Sequence, residues 1–311
     1  MVSNIPASCR LSMKDSDMMV SPFVKDEILD QLTRALKVSS PEMDGLSSFF
    51  LNLIFKYPKY SSLILRVYND SLSDSIFSKS WLETCVWLLP EKGDLTSLQN
   101  WRQVTLINCD AKIFTRMLNS RLGSVVSLLI SPWQSGFMKD RFIADNGILV
   151  NLAIEQAAVR NSDEIDFLCD QEKDYDRIHP EYLRTVLDQH GFPASFVSSI
   201  DKLFFGTSMR ANVNGFLTMP VPLGRGLRQG DPISPILFNL AIEPLIKAIV
   251  DSSRIIGFCP LNLSLPNIRT PVYGPPSLCS LNVLAYADDL LIFLNNPGDL
   301  DAVQSLIACY N

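Results

Sequence analysis

Two adjacent aspartates, Asp288 and Asp289, stand in the segment VLAYADDLLIF, residues 283–293, between two short apolar runs. Each run has the length and composition of a strand. Two such runs joined by a tight turn predict a β-hairpin with paired carboxylates at its tip. Neighbouring carboxylates repel each other unless cations neutralise them. Mg²⁺, a hard divalent cation, suits oxygen ligands of this kind. A third carboxylate, Asp170, closes the apolar run from Ile165 to Cys169, which Asp166 interrupts. A strand end of this sort can lie beside the tip of a hairpin on neighbouring strands. Three carboxylates so arranged would hold two Mg²⁺ ions for an in-line phosphoryl or nucleotidyl transfer. An Asp-Asp pair taken by itself reads more simply as a solvated turn.

Four further blocks precede the YADD string at 286–289. They are LPEKGDLTSLQNWRQVTLINCDAKIFTRMLNSRL (89–122), QSGFMKDRFIADN (134–146), the stretch from Asp170 through QEKDYDR, and RGLRQGDPISPILFNLAIEPL (225–245). In order and spelling these resemble the reverse transcriptases of non-LTR (LINE-type) retrotransposons, over roughly residues 24–311. Tyr286-Ala287-Asp288-Asp289 looks like the YxDD signature, and Asp170 heads the block of the first catalytic aspartate. Residues 225–245 resemble the block that supports template and incoming nucleotide, and 89–122 and 134–146 the fingers blocks. Ala287 is the usual residue of the LINE-type subclass at a position where retroviral enzymes carry bulkier side chains.

The resemblance implies an α/β (α+β) fold: the fingers and palm of a right-hand polymerase, with a ferredoxin-like antiparallel palm sheet packed on helices and the thumb absent. It implies an RNA-directed DNA polymerase, a nucleotidyltransferase using two Mg²⁺ ions, or Mn²⁺ in their place. Its partners would be an RNA template, a DNA primer or target DNA, and deoxynucleoside triphosphates. Asp170, Asp288 and Asp289 would be the catalytic metal ligands. Lys92 and Arg102 match fingers positions that grip the triphosphate, lysine as a point charge and arginine through bidentate contacts; the same residues also suit a solvated hairpin face. Tyr175 matches the steric gate that excludes a ribose hydroxyl, and otherwise reads as a core tyrosine. Gln229 would meet the incoming nucleotide, and Gly230 would let backbone approach the base pair closely. Asp231-Pro232 then caps and opens a helix, which explains that loop without any ligand. Arg225 and Arg228 would touch nucleic-acid phosphates, or else are solvated loop arginines.

Several positions depart from the family pattern. Asp174 stands where EKAYDR has Ala, which sets a carboxylate next to the gate. Glu42 replaces the Gly of SPGxDG, Gln103 the Pro of NWRP, and Glu91 a common second Lys. Together they suggest a decaying element copy. The chain stops at Asn311, one short helix past the hairpin, where the family continues into more palm and a thumb. Hence a second reading: a catalytically impaired remnant that folds and at most binds RNA weakly. A third, an intron-encoded maturase, lacks its basic segment here.

Bulk properties narrow the field. With 311 residues, 47% hydrophobic and 19% charged, the chain suits one large domain or two intimately joined subdomains. The seven cysteines are scattered with no C-x-x-C pair, which argues against zinc and for a reduced, intracellular protein of the cytoplasm or nucleus. His179 and His190 are the only histidines, which disfavours a histidine-based metal site or triad. No membrane-spanning run and no signal-peptide core is present. The net charge of −6 and a pI near 5.0 are opposite to the basic footprint of a nucleic-acid binder. Either the basic surface lies in segments outside this chain, or the chain binds nucleic acid poorly.

Periodicity predicts the elements that must position these residues. Residues 1–20 read as a disordered tail. Helices are expected from Ser21-Pro22, near 46–57 and 60–72, and over 108–130, 144–160, 180–191, 194–205 and 233–251, with a short one from about Asp299. Strands are expected at 83–90, within 98–107 and at 165–170, and a hairpin at 209–220 around Asn214-Gly215. Residues 254–280 read as a variable surface loop. Trp81, Trp87, Trp101 and Trp133 are expected to pack rather than stack on bases. The implied division is an N-terminal helical extension with fingers at 21–165 and a palm with the catalytic hairpin at 166–311, the polymerase domain as a whole covering about 71–311.

Overall fold

The structure is a computed structural model and describes residues 5–35, 43–91, 93–161, 165–171, 173–259 and 280–310. In chain order, helices α1 (Met13–Val20), α2 (Lys25–Ala35), α3 (Ser48–Lys56), α4 (Pro58–Asp74) and α5 (Lys79–Leu82) lead into strands β1 (Glu83–Pro90) and β2 (Trp101–Leu106). Next come α6 (Cys109–Leu129), α7 (Ile143–Arg160), β3 (Ile165–Cys169), α8 (Asp174–Arg177), α9 (Pro180–Gln189) and α10 (Ala194–Phe204). Strands β4 (Ser208–Val213), β5 (Phe216–Leu217) and β6 (Val221–Pro222) precede α11 (Ser234–Val250). The hairpin β7 (Val283–Tyr286) and β8 (Asp289–Leu294) follows, then α12 (Leu300–Tyr310). Helix α4 opens on Pro58, which has no N–H to lose at a helix start, so proline divides α3 from α4.

The chain divides into two compact units. The larger comprises residues 10–126 and 173–238, the smaller residues 1–9, 127–172 and 239–311. In the larger unit the sheet order is β2-β1-β4-β5, with β6 also on β4. Strand β1 is antiparallel to β2 but parallel to β4, with Glu83 opposite Ser208 and Trp87 opposite Asn212. That parallel pairing brings β4 into the sheet of β1 and β2, within the larger unit. The β4–β5 hairpin turns at Asn214 and Gly215, both with positive φ (53° and 87°), as a two-residue turn matched to strand twist requires.

Aromatic packing builds the core of the larger unit. The Tyr68 and Trp81 rings lie 6.1 and 5.4 Å from Phe114. The Tyr68 hydroxyl donates to the Asp110 carbonyl (2.8 Å) and Trp81 Nε1 to the Asp110 carboxylate (2.7 Å), so both polar tips are satisfied inside the core. Trp81 is thus a packing residue as expected, whereas Trp87 is 45% exposed on β1. Residues 13–20, expected within a disordered tail, form α1. Ser12 caps its start, Met19 is fully buried, and the buried Arg121 guanidinium binds the carbonyls of Met18, Met19, Ser21 and Pro22 while pairing with Glu27 at 3.0 Å. The order comes from a distant arginine satisfying carbonyls at the helix end, which local polarity cannot reveal.

The smaller unit carries the antiparallel sheet β3-β8-β7. Register runs from Ile165 opposite Leu294 to Cys169 opposite Leu290, and Tyr286 pairs with Asp289 across the hairpin. Ala153, Phe258, Leu281, Leu284 and Phe293 form a core cluster, with Trp133 and Leu149 against it. The start of the expected surface loop is anchored here. Ile255 and Phe258 are buried, and Phe258 and Leu281 exchange backbone hydrogen bonds of 2.9 and 2.7 Å. Residues 260–279 lie outside the described residues.

Candidate active site

Two apolar strands and a two-residue turn build the carboxylate tip. Ala287, the first turn residue, has φ +55°, the left-handed region that glycine usually fills. Asp288 is half-buried and Asp289 exposed. Strand β3 ends at Cys169 opposite Leu290, so extending the register by one residue sets Asp170 against Asp289. Asp170 is exposed. Strand pairing thus carries Asp170, Asp288 and Asp289 on one end of one sheet. Their donor set is oxygen only, which suits Mg²⁺ or Mn²⁺. Among the described residues, no three His, Cys, Asp or Glu side chains are gathered closely enough to hold a metal ion.

The turn rests on a polar loop that the sequence reading assigned to the fingers. Gln134 is fully buried in the same unit as the hairpin. Its Oε1 accepts from the N–H of Ala287 (2.8 Å) and of Gly136 (2.9 Å), and its Nε2 donates to the Ala287 carbonyl (3.0 Å). The Ser135 N–H and hydroxyl and Asn146 Nδ2 all donate to the Ala285 carbonyl, at 2.9, 3.0 and 3.2 Å. Helix α11 adds Asn239, whose Nδ2 donates to the Gly136 carbonyl at 2.6 Å. One turn on, Glu243 accepts the Ser131 N–H at 2.9 Å. Burial pushes the Glu243 carboxyl up to about 8, despite Lys247, the Ser131 N–H and Arg141, which all favour its charge. Arg141 donates to the carbonyls of Ser131 and Gln134, and burial lowers its own pKa. Sequence reading missed Gln134, Arg141, Asn146, Asn239 and Glu243 as supports. The available signal was Asn239 and Glu243, polar residues four apart in a largely apolar helix.

The remaining candidates lie in the larger unit. Lys92 lies outside the described residues. Arg102, exposed on β2, pairs with Glu91 at 2.9 Å. The Tyr175 ring on α8 stacks on Phe238, with centroids 5.2 Å apart and planes 13° apart, and its carbonyl accepts the Leu227 N–H at 2.7 Å. Asp174 opens α8 and is half-buried. The Gln229 carbonyl accepts the Thr105 N–H at 2.9 Å. Gly230, at φ +106°, lies so close that a Cβ would sit 3.0 Å from the Thr105 carbonyl oxygen. Thr84, Gln103, Asp176, Arg225 and Gln229 line a small pocket of about 30 Å³ together with the apolar Val86, Met209 and Leu223. Burial raises the Asp176 pKa against the opposing charges of Lys173 and Arg225.

Arg225 is exposed, but Arg228 is not. The Arg228 guanidinium is buried over the Phe204 ring and donates to the Leu203 carbonyl. Burial lowers its pKa to about 10 against the pull of Asp231, and burial likewise raises that of Asp231. Arg228 therefore braces the loop before α11 from a buried position, where Arg225 stands exposed. A loop arginine shows its charge in the sequence, but not its burial.

A mixed α/β fold with a carboxylate-tipped hairpin is the frame of a polymerase palm. Residues 89–309 match the family of reverse transcriptases (RNA-dependent DNA polymerase), and the chain belongs to that family. Its relatives come from mobile elements. It is 32% identical over 287 residues to the transposon TX1 uncharacterized 149 kDa protein of Xenopus laevis, covering 91% of this chain and 20% of that one. It is 25% identical over 229 residues to the retrovirus-related Pol polyprotein from type-1 retrotransposable element R2 of Popillia japonica, covering 73% of this chain and 30% of the relative. With the corresponding polyprotein of element R2DM of Drosophila melanogaster it shares 24% identity over 291 residues, 93% of this chain and 25% of the relative. These likenesses set it among the non-LTR retrotransposon reverse transcriptases. The chain spans between 20% and 30% of the length of these relatives. Among the described residues, no helix is long and apolar enough to cross a membrane.

Proposed function

We propose that this chain performs the RNA-directed DNA polymerase step of a retrotransposon protein, adding deoxynucleotides to a DNA 3′-hydroxyl along an RNA template in the cytoplasm or nucleus. The observation that carries the reading is the hairpin whose two-residue turn holds Asp288 and whose second strand opens on Asp289, with a β3 register that leads Asp170 toward Asp289. Two Mg²⁺ ions bound by these carboxylates would lower the pKa of the attacking hydroxyl and neutralise the leaving pyrophosphate. Substrate phosphates complete sites of this type, so weak metal binding is expected until nucleotide arrives. Arg102 would take the triphosphate. Its exposed pair with Glu91 is worth no more than about 1 kcal/mol, so a phosphate can displace the carboxylate. Tyr175, held flat on Phe238, would present a rigid edge to the sugar, and Gln229 and Gly230 would bring backbone to the nucleotide. Arg225 would meet phosphates of nucleic acid, and Lys92 those of the nucleotide.

A second reading, an impaired remnant that at most binds RNA weakly, is favoured by Asp174 beside the gate tyrosine and by the Glu91–Arg102 pair. Primer extension on an RNA template, with purified chain, deoxynucleotides and Mg²⁺ or Mn²⁺ at low salt, decides between the two. Product that disappears in Asp288→Asn and Asp289→Asn supports the polymerase. No product from the unsubstituted chain in either metal supports the remnant.

A further inference from the structure

We propose that Gln134 is a positioning residue for the carboxylate turn: its side-chain amide holds Ala287 in the left-handed conformation and so sets the direction in which Asp288 and Asp289 leave the turn. The catalytic part of this inference rests on the polymerase reading; the conformational part does not.

A single side chain engages both peptide groups of the turn residue. Gln134 Oε1 takes the Ala287 N–H and Gln134 Nε2 gives to the Ala287 carbonyl, at 2.8 and 3.0 Å. Accepting and donating at once from one planar group is a property of a primary amide. A carboxylate has no donor and a methionine has neither group. The clamp is needed because Ala287 has a Cβ. A non-glycine residue in the left-handed region is disfavoured because its Cβ crowds the neighbouring carbonyl oxygen, and turns with this first residue usually take glycine. Two buried hydrogen bonds to that residue offset the strain.

The clamp itself is held firmly. Gln134 is fully buried, and Arg141 donates to its carbonyl at 2.7 Å. Oε1 also accepts the Gly136 N–H, which fixes the plane of the amide. Residue 136 has to be glycine, because a Cβ there would stand 2.3 Å from the Ala287 nitrogen. Asn239 anchors the Gly136 carbonyl from α11. Asp288 is the very next residue after Ala287, so a change in the Ala287 backbone angles swings Asp288 directly and shifts Asp289, the first residue of β8.

The test compares the unsubstituted chain with Gln134→Ala, Gln134→Glu, Ala287→Gly and the double variant Gln134→Ala/Ala287→Gly. The readouts are amide hydrogen exchange at Ala287 and Phe293, Mn²⁺ affinity by electron paramagnetic resonance, and kcat and nucleotide KM in primer extension. In Gln134→Ala, exchange at Ala287 should rise by about tenfold or more while Phe293, bonded to the Asn282 carbonyl, keeps its protection. Mn²⁺ binding should weaken, and kcat should fall by about tenfold with KM changed less than about twofold. Adding Ala287→Gly should recover at least about threefold of the lost kcat, since glycine takes the left-handed conformation unaided. If Gln134→Ala does not fold, Gln134→Glu serves. It keeps the shape and the acceptor, loses the donor to the Ala287 carbonyl, and should show the same pattern. Unchanged exchange at Ala287, or exchange rising equally at Ala287 and Phe293 without recovery by Ala287→Gly, overturns the clamp. If the unsubstituted chain makes no product while exchange and Mn²⁺ affinity respond as stated, the polymerase reading fails and the clamp stands. If the chain is active and Gln134→Ala matches it in kcat and exchange, the clamp fails and the polymerase reading stands.

Discussion

Glu243 makes the stability of the smaller unit depend on pH, and replacing it should remove that dependence. Its side chain is fully buried, and the carboxyl is pushed up to about 8 because burial disfavours the charge. Lys247 Nζ, 3.6 Å from Oε1, and Arg141 oppose that shift without cancelling it. Unfolding exposes the group to water, where a glutamate titrates near 4.3. Between those values the folded chain holds a proton that the unfolded chain has lost, so stability falls as pH rises. The contribution is complete below about pH 4.5 and is gone once pH has risen through about 8. From pH 5 to pH 7 the linkage relation puts the loss at about 2–3 kcal/mol. Glu243→Gln keeps an acceptor for the Ser131 N–H and has no proton to lose. The difference in stability between the two proteins should therefore shift by that amount in favour of the variant over those two pH units. Chemical denaturation of fluorotryptophan-labelled protein, followed at the ¹⁹F resonance of Trp133, reads the transition of this unit. Parallel pH curves, differing by a constant to within about 0.5 kcal/mol, would show that Glu243 carries its charge in the fold and that the burial argument is wrong.

Glu91→Gln should free Arg102 and lower the nucleotide KM by about threefold, with kcat little changed; an unchanged KM in steady-state extension would remove Arg102 from the triphosphate site. Asp174→Ala should tighten nucleotide binding by at least about tenfold, since a carboxylate a few ångströms from a phosphate costs on the order of a few kcal/mol; nucleotide titration by fluorescence quenching checks it, and equal affinity refutes the repulsion. Tyr175→Val should admit ribonucleotides while leaving deoxynucleotide use largely intact, and unchanged sugar discrimination would leave Tyr175 as only the partner of Phe238. Arg228→Met should cost about 3–5 kcal/mol of stability by stranding the buried Asp231, with much of it returned by Asp231→Asn. A variant of full stability whose nucleic-acid affinity loses salt dependence would instead make Arg228 a phosphate contact.

The sequence by itself determined the order and kind of nearly every element and the positions of the acidic residues within them. The apolar runs around Asp288-Asp289 read as strands joined by a tight turn, and Asn214-Gly215 as another such turn, because strand composition and turn chemistry are local. The stripes that became α6, α9, α10 and α11 were legible for the same reason. Tertiary structure decided what depends on partners far along the chain. Strand β4 lies parallel to β1, far upstream in the chain, a pairing that no local pattern encodes. Helix α1 is ordered because Arg121, a hundred residues on, satisfies its carbonyls. Charge was visible at Arg102, Arg228 and Glu243, but their environments were not: one is paired with Glu91 at the surface, and two are withdrawn from water. Gln134 is the sharpest case. Its amide is an ordinary polar group in the sequence, and only the approach of the 134–136 backbone to the hairpin, possible because Gly136 lacks a Cβ, makes it the support of the carboxylate turn.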